Sequence, residues 1–292
     1  MNDQTADHPQ NTLAGHAFRK MNGLGNDFVI VDTRRSGAVM TPAAAAAIAN
    51  RKTGVGCDQV ITLEERAGEP FMGVWNADGS QVEACGNAAR CIGWLLMEES
   101  GETAAGFSTL GGEMAASRAG DKRVTVDMGP PKLHWRQIPL AEQMDDTRYI
   151  DIKLGPIDAP VLWGPSAVNM GNPHCVFFVE DAEAQALDRF GPMIENHPLF
   201  PQRANVSVAE VRSQHMIRLR VWERGAGITK ACGTAACAAL VSAVRRRLTA
   251  RKATVMLDGG DLAIEWGEDD HVRMTGPVAL EFEGDLPTDL PA

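Results

Sequence analysis

Two cysteines occupy nearly the same surroundings in the two halves of the 292-residue chain. Cys85 lies in EACGNAARCIG and Cys232 in KACGTAACAAL, so about half of the chain separates them. Each precedes a glycine and an alanine-rich run that is typical of a helix. A thiol at a helix start faces unpaired N–H groups and the positive end of the helix dipole, and we therefore expect its pKa to be lowered.

The residues after each cysteine could hold an anion. Gly86 and Gly233 let the backbone approach a ligand closely, and the N–H groups of these glycines, Asn87 and Thr234 can grip a carboxylate. Two thiols on opposite sides of one carbon could remove a proton from one face and return a proton to the other. That is the chemistry of a racemase or epimerase that needs neither pyridoxal phosphate nor metal, and it requires a base of tuned pKa and donors for the growing carboxylate charge.

The other four cysteines fit structural roles. Cys91 and Cys237 lie within the predicted helices, and Cys57 and Cys175 lie near predicted strands, where a thiol is usually a small buried apolar group. There is no C-x-x-C motif and no matching histidine pair. A disulfide oxidoreductase and a structural zinc site are therefore disfavoured, and a cysteine protease would need one thiol with a histidine partner.

The cysteine stretches belong to a repeat that covers much of the chain. An offset of 146 or 147 residues aligns GND at 25–27 with GNP at 171–173, VWNADGS with VWERGAG, and GP at 129–130 with GP at 276–277. A period this long predicts two homologous domains about a pseudo-twofold axis rather than a solenoid. We expect one domain at 17–132 with 278–292 and the other at 133–277, with the crossover near GPPKLHW.

Each half combines short strands with one buried helix. The pattern predicts strands at Phe28–Val31, Phe71–Asn76, Val124–Met128, Cys175–Val179, Ile217–Glu223 and Ala253–Leu257. Thr41 as N-cap and Pro42 predict a further helix over TPAAAAAIANR. The helices after the two cysteines are apolar on nearly every face, which predicts burial, with only their charged ends (Glu98–Glu99 and Arg245–Arg247) in solvent. The expected fold class is α+β: two pseudo-symmetric domains, each a curved, mainly antiparallel, barrel-like sheet around a central helix, with the active site in the cleft between them.

Composition excludes several classes of function. The net charge of −10 disfavours a nucleic-acid partner, and the lack of a long apolar run disfavours a membrane span. Residues 1–16 are polar and without an apolar core segment, so they predict a disordered extension rather than a signal peptide. A cytoplasmic location is the resulting expectation.

Six long stretches resemble the diaminopimelate epimerase family in the order in which that family carries them. They are KMNGLGNDFVIVD, GVGCDQ, WNADGSQVEACGNAARC, MGNPHCVFFV, RANVSVAE and ERGAGITKACGTAACAA, and the resemblance runs from about Phe18 to Asp285. It implies interconversion of LL- and meso-2,6-diaminoheptanedioate (diaminopimelate) on the route to lysine and peptidoglycan precursors, without a cofactor, by a protein that is often a homodimer. The two bases of the family fall on Cys85 and Cys232.

The resemblance also implies which residues contact the substrate: Asn26, Gln59, Asn76, Gly86, Asn87, Asn172, Asn205, Glu223, Arg224, Gly233 and Thr234. Amide side chains both donate and accept, which suits a substrate with two amino-acid ends, and Arg224 can hold a distal carboxylate through two parallel bonds. His174 and Glu223 are expected beside the thiols, where they would tune or orient them. The chain departs from the family at Ile228, often glutamate, and at Ala235, often glycine, and neither departure removes an assigned role.

Three alternatives remain at this point. Proline racemases and hydroxyproline epimerases also use two cysteines, but on a smaller substrate with one carboxylate. Phenazine-biosynthesis isomerases share the two-domain shape and lack the cysteine pair. A binding protein that only holds a diamino acid between two lobes would need the amides and Arg224 but no opposed thiols.

Overall fold

The computed structural model describes residues 13–83, 85–156, 158 and 160–291. Seventeen of the strands in this part of the chain form one continuous sheet, and β9 and β10 form a separate pair. The strands are β1 (Ala17–Gly23), β2 (Asn26–Asp32), β3 (Gln59–Arg66), β4 (Glu69–Asn76), β5 (Gln81–Val82), β6 (Ala104–Thr109), β7 (Gly112–Gly120), β8 (Arg123–Asp127), β9 (Lys153–Leu154), β10 (Leu162–Trp163), β11 (Ser166–Asn169), β12 (Pro173–Val179), β13 (Asn205–Ser213), β14 (Met216–Glu223), β15 (Gly227–Thr229), β16 (Lys252–Leu257), β17 (Gly260–Trp266), β18 (Val272–Pro277) and β19 (Ala279–Asp285). The helices are α1 (Pro42–Ala49), α2 (Gly86–Ser100), α3 (Leu187–Glu195) and α4 (Gly233–Arg245).

The sheet curves around two buried helices, one in each lobe. The core of the first lobe gathers strand residues such as Phe28 and Ile61 around Cys91 and Ile92 of α2. The core of the second lobe surrounds α4, which is buried from Ala235 to Ala243. The expected two-domain α+β fold with one central helix per domain is confirmed.

The repeat is visible in the strand pairing. In each lobe two parallel strands are joined through a helix: β2 pairs with β3 across α1, and β12 pairs with β13 across α3. Most other pairs are antiparallel. The equivalent strands β8 and β18 pair with each other, with Val126 opposite Met274, and so join the lobes into one sheet. β19 then crosses back and pairs with β1.

Local signals placed α1 correctly. The Thr41 hydroxyl accepts from the Ala44 N–H at 3.1 Å, and Pro42 takes the first helical position, where its missing N–H costs nothing. The helix ends at Ala49, slightly before the end of the predicted stretch. Among the described helices, none has the length and apolar character that a bilayer span requires.

Two expectations, one about the start of the chain and one about the helix ends, are wrong in part. Residues 1–12 of the expected disordered extension lie outside the described residues, but Leu13 is buried and the Gly15 N–H donates to the Leu286 carbonyl at 3.2 Å. At the helix ends, Glu98, Glu99 and Arg247 are exposed as expected, whereas Arg245 and Arg246 are partly buried. Arg246 donates to backbone carbonyls of the second lobe, including that of Arg148 at 2.7 Å, because the irregular segment before β9 folds over the helix end.

Candidate active site

The starts of α2 and α4 lie against the same side chain. Cys85 and Cys232 are the N-cap residues, with nearly equal backbone angles (φ −140°, ψ 114° and φ −133°, ψ 109°). A Cβ added to Gly86 would lie 2.9 Å from Cε of Met274, and one added to Gly233 would lie 2.8 Å from Sδ of the same methionine. The fold therefore brings the two cysteine stretches, far apart in sequence, to one place between the lobes.

Strand polarity explains why the other site residues gather at the same place. β2 and β3 run parallel, and β4 runs antiparallel to β3. The starts of β2 and β3 therefore lie at the same end of the sheet as the end of β4. Asn26, Gln59 and Asn76 occupy those three positions. The repeat places Asn205 at the start of β13 and Glu223 at the end of β14 in the same way.

A hydrogen-bonded chain of amides orients the surroundings of Cys85. The Asn26 Nδ2 group donates to Asp58 Oδ2 at 2.9 Å, which turns Oδ1 of Asn26 towards the site. That oxygen accepts from Asn87 Nδ2 at 3.5 Å and lies 3.9 Å from Sγ of Cys85. In this state the Cys85 thiol is a donor, and the amide oxygen of Asn26 is its acceptor.

Cys232 faces a carboxylate instead. Its Sγ lies 3.5 Å from the Thr234 hydroxyl, and the Glu223 carboxylate faces the thiol from the end of β14. Thr229 on β15 donates its hydroxyl proton to Glu223 Oε1 at 2.5 Å and fixes that carboxylate. The two thiols therefore sit in equivalent backbone positions but in different electrostatic surroundings.

Burial raises the pKa of both thiols. For Cys85, the N–H groups of Ala88 and Asn87 pull the pKa down but do not offset burial. For Cys232, burial raises the pKa well above the usual value, and the negative charge of Glu223 raises it further. The expected lowering by the helix starts is wrong, because desolvation of the thiolate outweighs the helix N–H groups. Burial also raises the pKa of Glu223. The pKa of Glu223 is therefore closer to the pKa of a thiol than that of an exposed glutamate would be.

His174 belongs to a second group of polar residues. It is fully buried on β12, its Nε2 is 2.7 Å from Asn172 Oδ1, and burial together with Arg224 lowers its pKa to about 3. Its Nδ1 has no hydrogen-bond partner among the described residues. Asn205 accepts from the Arg224 N–H at 3.0 Å and donates to the Pro173 carbonyl at 3.1 Å. Both ends of the Asn205 amide are thus committed to the backbone, and His174 makes no hydrogen bond to a thiol within the described chain.

The remaining predicted contacts form a third group. Gln59 Nε2 donates to Asn76 Oδ1 at 3.0 Å, and Asn76 Nδ2 donates to the Ser80 hydroxyl at 3.0 Å. Sequence reasoning missed Asp58, Thr229 and Arg90, all of which contact site residues directly. The sequence does contain a signal for Arg90: an arginine within an otherwise apolar helix is buried together with that helix and needs polar partners there. The described residues include no group of three histidine, cysteine, aspartate or glutamate side chains arranged to hold a metal ion.

The fold and the paired cysteine helices define the class of protein: a duplicated, two-lobed α+β protein in which the two cysteine-bearing helix starts meet between the lobes. Solved structures share this fold at low identity, which shows the fold alone. A hydroxyproline epimerase from Agrobacterium vitis has a TM-score of 0.64 at 14% identity, covering 94% of this chain and 93% of that one. A phenazine biosynthesis protein of the PhzF family from Enterococcus faecalis has a TM-score of 0.63 at 14% identity, covering 93% and 98%.

The diaminopimelate epimerase family model matches residues 18–134 and 166–281, and the chain belongs to this family. Among its relatives, the diaminopimelate epimerase of Phenylobacterium zucineum is 55% identical over 94% of this chain and 98% of that protein. The diaminopimelate epimerase of Methylobacterium sp. is 52% identical over 94% and 96%. The family named by the sequence motifs is therefore confirmed, over the proline and phenazine alternatives.

Proposed function

We propose that the chain is an isomerase that interconverts LL- and meso-2,6-diaminoheptanedioate by proton transfer between two cysteines, in lysine and peptidoglycan precursor synthesis. Membership of the family and the names of the relatives support the substrate. The observation that carries the mechanism is that both cysteine-bearing helices begin against Met274, which allows one stereocentre to lie between the two thiols.

The two helix starts supply the binding site for the reacting end. The α-carboxylate lies against the N–H groups of Gly86, Asn87, Gly233 and Thr234, so that two helix dipoles stabilise the charge that grows on it as the α-proton leaves. One cysteine, as thiolate, takes the proton, and the other, as thiol, delivers its own proton to the opposite face. The chain ends the turnover with the two protonation states exchanged, and no cofactor enters the proton balance.

Glu223 is the group placed to prepare Cys232. Because burial raises the pKa of both thiols, formation of a thiolate needs a nearby group that accepts the proton. The Glu223 carboxylate faces the Cys232 thiol, and burial raises its pKa, so it is a better acceptor for that proton than an exposed glutamate would be. The substrate ammonium group then adds a positive charge beside Glu223, which favours the thiolate further.

The distal amino-acid end is held by the second and third polar groups. Arg224 donates through Nη1 to the Gln202 carbonyl at 2.8 Å, and its other N–H groups can pair with the distal carboxylate. We assign Asn172, Asn76 and Gln59 to direct contacts with this end. Asn205 contributes by holding the backbone of Arg224, and buried, neutral His174 by orienting Asn172.

The experiment that tests this function is α-proton exchange in deuterated water with LL-diaminopimelate, compared with L-proline. We expect exchange and meso product with diaminopimelate alone. Cys85→Ser and Cys232→Ser should each lower turnover by orders of magnitude, because a hydroxyl is a far poorer base near pH 7. Cys175→Ala, which changes a thiol buried in a separate core, is the matched control and should retain turnover. Near wild-type epimerisation in either serine variant would refute the two-base mechanism, and no exchange at all in the wild type would favour a binding protein.

We further propose a cytoplasmic homodimer with domains at 17–132 plus 278–292 and at 133–277. The pairing of β19 with β1 supports this division. The partly exposed Leu280 and Phe282 on β19 provide apolar surface that a second copy could cover. Light scattering measures the mass directly, and a monomer at micromolar concentration would contradict the dimer.

A further inference from the structure

The interior of α2 carries an arginine that solvent does not reach. Arg90 is 0% exposed and follows Cys85 by five positions. The equivalent position of the repeat, five residues after Cys232, is Cys237. The duplicated helices therefore differ by one buried positive charge on the side of Cys85.

The guanidinium group has an unused donor and pairs with no carboxylate among the described residues. Its Nη1 donates to Asn87 Oδ1 at 3.1 Å and approaches Sδ of Met274 at 3.5 Å, and its Nε donates to the Pro277 carbonyl at 3.4 Å. Nη2 has no hydrogen-bond partner among the described residues. An arginine keeps its charge in a protein interior, so this charge is buried without a neutralising group in the described chain.

The backbone makes room for this group at two glycines. A Cβ at Gly23 on β1 would lie 3.3 Å from Nη2 of Arg90. A Cβ at Gly276 on β18 would lie 3.0 Å from Nε and 3.1 Å from Cζ. The guanidinium is thus enclosed between a strand of each lobe and lies close to the backbone of both.

Arg90 reaches the site through Asn87. The amide oxygen of Asn87 that accepts from Arg90 lies 3.4 Å from the position of a Cβ on Gly233, at the start of α4. With its oxygen held, Asn87 must turn Nδ2 to Asn26, whose own oxygen faces the Cys85 thiol. The orientation of two amides beside Cys85 therefore depends on one guanidinium.

The charges around Cys85 have opposite effects. Arg90 on α2 favours a thiolate there, and Glu223 on β14 disfavours it. The thiol of Cys91 also lies near Arg90, as does that of Cys237 on α4, and the positive charge of Arg123 on β8 also acts on Arg90. Among these groups Cys85 is the thiol that the proposed reaction ionises, and it is the natural counter-charge for Arg90.

We infer that Arg90 is a positioning residue of this active site: it locks the Asn87 amide between the two helix starts and supplies the positive charge that stabilises a thiolate at Cys85. The inference rests on the proposed function. It assigns a task to a residue outside the set that contacts substrate, and it makes the two equivalent cysteines chemically unequal.

The test compares Arg90→Met, which removes charge and donors, with Arg90→Lys, which keeps the charge. In Arg90→Met we expect the rising limb of the kcat/KM profile against pH to move about one unit higher, with an about tenfold loss near pH 7, because one pKa unit is a tenfold change in thiolate fraction. kcat should fall more than KM rises. In Arg90→Lys the limb should return towards the wild-type position while kcat stays reduced. Arg245→Met, which removes a largely buried arginine at the far end of α4, should leave the limb in place.

A second readout separates this inference from the proposed function. Iodoacetamide alkylation is followed at each cysteine by mass spectrometry over a range of pH. In Arg90→Met, the pH at which Cys85 becomes reactive should rise, and the corresponding pH for Cys232 should rise much less. This shift is measurable even if the wild type has no activity on diaminopimelate, which would overturn the proposed function alone. If a folded Arg90→Met variant shows the wild-type pH dependence both of kcat/KM and of alkylation at Cys85, the inference is overturned. If that variant does not fold, Arg90→Lys decides, and wild-type kcat in it would equally overturn the inference.

Discussion

A single methyl group at the start of α4 tests the geometry of the site. The Cβ of a Gly233→Ala variant would lie 2.8 Å from Sδ and 3.1 Å from Cε of Met274, which is 0% exposed. Alanine raises helix propensity by about 1 kcal/mol over glycine, whereas overpacking a closed core costs about 1–3 kcal/mol. We expect a net loss of about 1 kcal/mol in the free energy of unfolding, measured by urea titration.

The effect on turnover should exceed the effect on stability. The methyl group would press against Met274 and displace the start of α4, with the N–H groups of Gly233 and Thr234 that we assign to the substrate carboxylate, and a displacement of about 1 Å in such a contact costs about 10²-fold. Steady-state epimerisation of LL-diaminopimelate measures this loss. Gly106→Ala is the matched control, because a Cβ there meets no heavy atom within 4 Å, and its stability and turnover should stay near those of the wild type.

Relief of the contact provides the decisive comparison. In a Met274→Ala background the added methyl has space, so Gly233→Ala should cost about 1 kcal/mol less there than in the wild type, an ordinary coupling energy for side chains in contact. Wild-type turnover in Gly233→Ala, or equal costs in both backgrounds, would refute the placement of the two helix starts against Met274.

Three further predictions concern neighbouring groups. Thr229→Val removes a donor that lowers the pKa of Glu223, so the lower pH limit of activity should move up by about one unit, and an unmoved limit would contradict the role of Glu223. His174 has a pKa of about 3 in the folded state and 6.5 in the unfolded state, so acid protonates the unfolded state first. The contribution of His174 to the free energy of unfolding is therefore complete above pH 6.5 and is lost as pH falls, by about 2 kcal/mol from pH 7 to pH 5. Urea titrations at both values should show that slope in the wild type and a flatter one in His174→Gln, whereas equal slopes would mean that His174 is not buried in its neutral form. A Cβ at Gly191 would lie 2.6 Å from the Trp222 ring, so Gly191→Ala should lower the melting temperature and, through Glu223, the turnover; an unchanged melting temperature would contradict that packing.

Local patterns predicted the framework because they record local physics. The cap at Thr41, the apolar faces of α2 and α4, and the β-branched strand runs need no knowledge of the rest of the chain. The helix α3 escaped prediction because Gly191 and Pro192 interrupt its pattern. Its position comes instead from packing against β14, which propensity does not report.

The sequence predicted the positions of the two cysteines and their neighbours better than it predicted the pKa shifts of the thiols. The repeat and the motifs identified the two cysteines and the residues at the strand ends. The direction of the thiol pKa shift was wrong, because the local helix start argues for acidity while burial by the opposite lobe argues against it, and burial prevails. The hydrogen bonds of individual amides, such as the one that Asn205 accepts from the backbone of Arg224, depend on the register between β12 and β13 and on the turn after β14. Local sequence patterns report neither.

Duplication by itself would make the two thiols equivalent, yet proton transfer between them requires one base and one acid at a time. Two substitutions within the repeat remove the equivalence. Asn76 at the end of β4 corresponds to Glu223 at the end of β14, and Arg90 in α2 corresponds to Cys237 in α4. The neutral amide and the buried cation lie in the lobe of Cys85, and the carboxylate lies beside Cys232. Since both differences favour negative charge on the same sulfur, a thiolate is less unfavourable at Cys85 than at Cys232, and in the proposed reaction the proton distribution must invert during each turnover.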